Sequence, residues 1–126
     1  MKEISTKNAP AAIGPYSQAI DMGCMVYVSG QIPVDPATGK MAETVEEQAR
    51  QSLTNLRNIL AEAGVEMSAV VKTTVFLADL GDFAAVNEVY ASFFEKPYPA
   101  RSCVQVAAIP KGAKLEIECI AKKPKK

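Results

Sequence analysis

The stretch Pro99-Ala100-Arg101-Ser102-Cys103-Val104-Gln105-Val106 alternates its side chains with a period of two. Arg101, Cys103 and Gln105 fall on one side, and Ser102, Val104 and Val106 on the other, the pattern of a strand with one buried face. Arg101 stands at the start of this strand, just after Tyr98-Pro99. A guanidinium is permanently charged and offers a planar fork that fits a carboxylate. From the strand alone two readings stay open: a structural ion pair or solvent-facing head, and a grip on a bound anion.

A second alternating run, Lys114-Leu115-Glu116-Ile117-Glu118-Cys119-Ile120, sets Glu116 and Glu118 on one face and Leu115, Ile117 and Cys119 on the other. If the two runs belong to one sheet, Arg101 and Glu116 can share the face away from the main core. An arginine to hold an anion would then lie close to a carboxylate that moves a proton.

Upstream, residues 2–7 suit a short edge strand, and Pro10, Gly14 and Pro15 punctuate a loop. Tyr16–Asp21 and Cys24–Ser29 read as a hairpin turned at Met22-Gly23, with Gly30 ending the second strand. A helix begins at Thr44, where Thr44 and Glu47 form a T-x-x-E capping box, and Gly64 supplies its left-handed stop. Between them Val45, Ala49, Leu53, Leu56, Leu60 and Ala63 repeat at helical spacing. The β-branched run Val70–Ala78 reads as a central strand. A second helix is expected from Asp82 to Phe94, with Phe83, Val86, Tyr90, Phe93 and Phe94 along one stripe and Pro97 preventing its continuation.

The order β-β-β-α-β-α-β-β implies an α+β domain over residues 1–126. Its sheet is mainly antiparallel, and two helices are enough to cover one face. The other face carries residues such as Val26, Val28, Cys103 and Gln105 and needs solvent or a second subunit over it. A half-apolar exposed sheet favours a homo-oligomer. The basic tail Lys122–Lys126 is expected to be solvated and frayed.

With 126 residues, 48% hydrophobic and 22% charged, the chain has ordinary globular composition. Its 14 basic and 14 acidic residues cancel, so no global field draws nucleic acid or an anionic membrane. No apolar run approaches the roughly 20 residues that span a bilayer. The N-terminus lacks the apolar core of a signal peptide, and the expected compartment is the cytoplasm. Cys24, Cys103 and Cys119 form neither a disulfide framework nor a zinc site. Cys24 and Cys119 read as core, and Cys103 shares the Arg101 side. Histidine is absent, which removes Ser-His-Asp triads, Cys-His pairs and histidine metal sites. Any catalysis must rest on carboxylate, tyrosine, lysine, arginine, thiol or backbone amides.

Five segments in order then acquire a common meaning: Gly14-Pro15-Tyr16-Ser17-Gln18-Ala19, Val28-Ser29-Gly30-Gln31-Ile32-Pro33, Val86-Asn87-Glu88-Val89-Tyr90, Pro99-Ala100-Arg101-Ser102 and Leu115-Glu116-Ile117-Glu118. Together they resemble the reactive intermediate deaminase family, called Rid or YjgF, over essentially the whole chain. The resemblance implies a chorismate-mutase-like fold and a homotrimer with a central barrel and ligand sites between subunits. It implies cofactor-independent hydrolysis of 2-imino acids such as 2-iminobutanoate and 2-iminopropanoate, released by pyridoxal-phosphate enzymes, to 2-oxo acids and ammonia. By the same resemblance Arg101 grips the substrate carboxylate, and Glu116 serves water or the imine nitrogen. Tyr16, Ser29, Gly30, Asn87 and Cys103 line the pocket, Cys103 through its backbone amide. No metal or cofactor is implied. The competing readings are a sensor that binds a 2-oxo acid or amino acid without turnover, and an RNA-directed ribonuclease or translation inhibitor. The charge balance and the lack of a basic-aromatic stripe weigh against the latter.

Overall fold

Residues 1–125 are described by a computed structural model, and their packing is organised by one long helix. This helix, α1, spans Val45–Glu62. Thr44 Oγ1 accepts the Glu47 backbone N–H at 3.2 Å and so satisfies one of the free donors of the first turn. Gly64, at φ 74°, closes the other end. Ala49, Leu53, Leu56, Ile59 and Leu60 along its inner stripe are at most 1% exposed. Each large aliphatic side chain so buried contributes about 1.5–3 kcal/mol.

Six strands form one sheet: β1 (Lys2–Ile4), β2 (Ala19–Asp21), β3 (Met25–Gln31), β4 (Val70–Leu77), β5 (Ala100–Gln105) and β6 (Leu115–Lys122). Their spatial order is β1-β2-β3-β6-β4-β5. Every pairing is antiparallel except β4 with β5, which run parallel because the short helix α2 (Phe83–Ala91) carries the chain back across the sheet. The expected element order, the mainly antiparallel sheet and the two covering helices are all present.

The helix-covered face holds Val26, Val28, Val75, Leu77, Leu115, Ile117 and Cys119, all buried. Val26 and Val28 therefore do not line the open face as expected. Cys103 and Gln105 also leave it, because they register with Val75 and Leu77 on the helix side. The open face is built instead from Tyr27, Lys72, Thr74, Phe76, Ser102, Val104, Glu116, Glu118 and Ile120.

Several boundaries shift for local reasons. β3 continues past Gly30 to Gln31 through an irregularity in its register with β6 between Val28 and Gln31. Tyr16 lies outside β2. Helix α2 starts at Phe83 and stops at Ala91, where the Ser92 hydroxyl donates to the Val89 carbonyl at 2.6 Å, although Phe94 still reaches the core. Cys24 is exposed rather than core, because it sits in the β2–β3 turn, where Asp21 Oδ1 accepts the Gly23 N–H at 2.7 Å. The tail is held further than expected. β6 runs to Lys122, Lys123 donates its backbone N–H to Cys24 O at 2.9 Å, and its Nζ pairs with Asp21 at 2.6 Å. Lys126 lies outside the described residues.

Candidate active site

Strand β5 is an edge strand, and its first turn of side chains meets α2. Arg101 registers with Thr73 of β4, so it leaves the sheet on the helix side. Its guanidinium carbon lies 4.9 Å from the centroid of the Tyr90 ring and 5.3 Å from that of Phe83. Nη1 donates to Asn87 Oδ1 at 2.7 Å. Three residues of one helix therefore hold this cation, and none neutralises it. Among the described residues the one ion pair is Lys123–Asp21, so the structural ion pair left open for Arg101 is not made. The guanidinium remains exposed, charged and unpaired, a state that suits an incoming carboxylate.

Cys103, two residues along, is half-buried beside this cation. Burial pushes its thiol up, and the Arg101 charge only partly offsets that. The thiol is protonated at neutral pH, which argues against a thiolate nucleophile.

Glu116 belongs to a different surface. It registers with Phe76 of β4 and points to the open face, whereas Arg101 registers with Thr73 and points to the other. Strand β4 separates the two strands, and the faces are opposite. The expectation that Arg101 and Glu116 share one face within the chain is therefore wrong. The reason is parity: along β4 the Arg101 partner and the Glu116 partner are three residues apart, an odd step that reverses the side.

Around Glu116 the β3 irregularity brings Ser29 and Gly30. A Cβ on Gly30 would fall 2.8 Å from Glu116 Cδ, so any side chain there forces the carboxylate to move, and glycine lets it lie over β3 as it does. Burial raises the Glu116 carboxyl above its ordinary value, and the charge of Glu118 raises it further. Ser29 is fixed by two bonds to the β2 approach: its N–H donates to Gln18 O at 2.9 Å and its hydroxyl to Ser17 O at 2.6 Å. Gln18, 3% exposed, ties that approach to the N-terminal loop by accepting the Thr6 N–H and donating to Pro10 O. Tyr16 beyond it is half exposed.

The residues singled out in the sequence thus form two half-sites. Arg101, Asn87 and Cys103 lie on the α2 side of β5; Glu116, Gly30 and Ser29 lie on the open side of β3 and β6, with Tyr16 at the end of the β2 approach. A shallow groove of about 330 Å³ runs past Ser17, Ser29 and Ile120, and a second of about 730 Å³ lies beside Tyr98 and Lys122. Neither includes Arg101 or Glu116. Phe83, Tyr90 and Thr73 were not singled out as site residues. The aromatic stripe of α2 was legible, but only the fold reveals that its Phe83 and Tyr90 rings reach the arginine.

Among the described residues no group of three or more His, Cys, Asp or Glu gathers to hold a metal ion, and no helix is long and apolar enough to cross a membrane.

A mainly antiparallel sheet under two helices, with an unpaired arginine at its edge and a half-buried glutamate on its open face, has clear relatives. The family model described as endoribonuclease L-PSP matches residues 6–123, and the chain belongs to this family, the Rid/YjgF family of the sequence resemblance. The 2-iminobutanoate/2-iminopropanoate deaminase of Salmonella typhimurium is 58% identical over 123 residues, covering 95% of this chain and 96% of its own. The Escherichia coli enzyme of the same name is 55% identical over 123 residues, with the same coverage. Among solved structures, E. coli TdcF with bound serine superposes with a TM-score of 0.95 at 51% identity, covering 98% of this chain and all of its own.

Proposed function

We propose that the protein is a 2-imino acid deaminase, hydrolysing 2-iminobutanoate- and 2-iminopropanoate-like substrates to 2-oxo acids and ammonia. The observation that carries this reading is the unpaired, helix-braced guanidinium of Arg101. The curated relatives carry the same activity in their names. Serine, bound by the E. coli relative, shares with a 2-imino acid a carboxylate next to a nitrogen-bearing carbon.

Because Arg101 and Glu116 face opposite ways, one chain does not assemble the site. A second copy supplies the missing half: Arg101, Asn87 and Cys103 of one subunit meet Glu116, Gly30, Ser29 and Tyr16 of the next. A closed ring of three copies, with the open sheet faces turned inward as a barrel, makes three such clefts. The partly exposed Tyr27 and Val104 favour covering that face.

In the cleft, two parallel N–H···O bonds from Arg101 fix the carboxylate and aim the C=N carbon at water. Glu116 takes a proton from water as hydroxide adds to that carbon, then returns it to nitrogen, which gives a carbinolamine. It next takes the hydroxyl proton and passes it to nitrogen as the C–N bond breaks. Ammonia leaves, the carbonyl forms, and the carboxylate is regenerated. A glutamate whose pKa burial raises above its ordinary value holds a proton more readily, which suits the return transfers; general acid–base catalysis contributes about 10²–10⁴-fold. No step requires a cofactor.

The ribonuclease activity in the family description fits this chain less well. Its 14 cations are matched by 14 anions, and it has no histidine for acid–base work on a phosphodiester.

The test is a competition. Threonine dehydratase generates the imino acid from threonine while semicarbazide traps it, and semicarbazone formation is followed spectrophotometrically. Suppression by the wild type but not by Arg101→Ala is expected. No suppression by the wild type, with 2-oxobutanoate still bound, would make the cleft a sensor.

A further inference from the structure

Arg101 is braced more heavily than the proposed reaction demands. Asn87 alone would fix one edge of the guanidinium, yet two aromatic rings also lie against it, at 4.9 and 5.3 Å from its central carbon. We propose that Phe83 and Tyr90 are positioning residues, a pair of ring faces that set the plane of the Arg101 fork and so select substrates bearing a carboxylate. The inference rests on the reading of Arg101 as the carboxylate grip.

The bracing continues into the sheet. Thr73 is fully buried at a position flanked on the same face by Val75, where an aliphatic side chain would be the default. Its hydroxyl instead meets the Tyr90 hydroxyl at 2.8 Å. A buried hydroxyl is costly without a partner, so each of these two groups requires the other. The bond pins the far end of the Tyr90 ring to β4. Phe94 packs against the same ring with centroids 4.6 Å apart and the planes tilted by 38°. The ring that Arg101 lies against is therefore held at its hydroxyl and by a neighbouring aromatic side chain. Burial raises the Tyr90 phenol pKa, so the ring carries no anion that would compete with substrate for the guanidinium.

A free arginine samples many rotamers, and a bidentate bond requires one. Asn87 engages one Nη1 proton, and the rings restrict rotation out of plane. The remaining N–H groups form a preset edge for two carboxylate oxygens. A neutral analogue, with an amide in place of the carboxylate, gains little from that edge.

Phe83 is the residue to change, since it is 38% exposed and its loss leaves the core intact. The probes are 2-oxobutanoate and its neutral counterpart 2-oxobutanamide, titrated calorimetrically into the assembled protein. Arginine Nε–H relaxation at Arg101 is followed by NMR in parallel. Phe83→Leu should weaken the acid by about tenfold, leave the amide within about twofold, and raise Arg101 side-chain mobility. Phe83→Trp, which keeps a ring face, should restore both affinity and rigidity. The proposal is overturned if Phe83→Leu binds the acid as the wild type does, or weakens acid and amide equally, or leaves Arg101 as rigid as before. Arg101→Ala separates the two levels: unchanged 2-oxobutanoate affinity there would remove the carboxylate grip itself. A loss with Arg101→Ala but none with Phe83→Leu would remove only the aromatic brace.

Discussion

The two faces of the sheet follow opposite rules. Towards the helices, Val75, Leu77, Leu115 and Ile117 are at most 1% exposed, and the face is closed by α1 and α2. On the other side the same strands present Lys72, Thr74, Phe76, Glu116, Glu118 and Ile120, an uneven mixture whose aromatic and aliphatic members stay partly exposed and which no helix of the described residues covers. The first face is finished within one chain. The second has the composition of a surface that meets another copy. The two candidate catalytic groups obey the same division: Arg101 sits at the rim of the closed face and Glu116 on the open one. Folding a single chain therefore prepares both groups and keeps them apart, and assembly is what brings them together in the proposed enzyme.

The largest expected effect comes from the closed-face rim. Arg101→Ala removes two charge-assisted hydrogen bonds and should lower kcat/KM by about 10³-fold in the semicarbazide competition, with assembly unchanged by sedimentation. Arg101→Lys should recover little of this, because a point charge lacks the fork. An active Arg101→Lys enzyme would mean that charge alone suffices.

On the open face, Glu116→Gln should cost about 10²-fold or more. The wild-type rate should fall as pH drops through the Glu116 pKa, at a higher pH than an ordinary glutamate gives, because burial raises that pKa. The glutamine variant should lack this limb. Stability should move the opposite way. A raised carboxyl favours folding below its unfolded pKa, and that contribution is lost as pH rises through the folded value. The glutamine variant should therefore gain in relative melting temperature at higher pH. A pH-rate limb that survives the substitution would assign acid–base work elsewhere.

Gly30→Ala tests the join between β3 and β6. The added methyl displaces the Glu116 carboxylate, and activity should fall about tenfold with the fold retained by circular dichroism. Full activity would mean that the carboxylate works from another position.

Two isoleucines three residues apart on β6 sharpen the contrast in stability. Ile117→Ala, on the closed face, should cost about 2–5 kcal/mol in chemical denaturation. Ile120→Lys, on the open face, should leave a single chain folded but shift sedimentation towards monomer. If that variant stays assembled, the open face is not the interface.

Much of the fold was legible because its signals are local. Thr44 and Gly64 mark the ends of α1, and the apolar spacing from Val45 to Leu60 marks its inner stripe. The alternation in β6 identifies its buried side, since Leu115, Ile117 and Cys119 contrast with two glutamates. Strand β5 offers no such contrast, because Cys103 and Val104 are both apolar and neither parity declares the core. That strand lies at the edge and is largely exposed, and its orientation is set by α2, through the crossover and the Phe83–Tyr90–Asn87 grip on Arg101. The insertion of β4 between β5 and β6 is a long-range pairing that no period-two pattern encodes. Cys24 misled for a related reason: its apolar neighbours Met25 and Val26 belong to the strand, and it belongs to the turn. The candidate site residues came from the resemblance; their division between two faces did not.

Mixing two inactive proteins tests the shared site most directly. Arg101→Ala and Glu116→Gln are unfolded, combined in equal amounts and refolded together, and the product is assayed in the semicarbazide competition. If each cleft takes Arg101 from one copy and Glu116 from the next, about one quarter of clefts regain both groups, and activity returns to about a quarter of the wild-type value. A mixture no more active than its two components, with mixed assemblies confirmed by native mass spectrometry, would contradict a site shared between subunits.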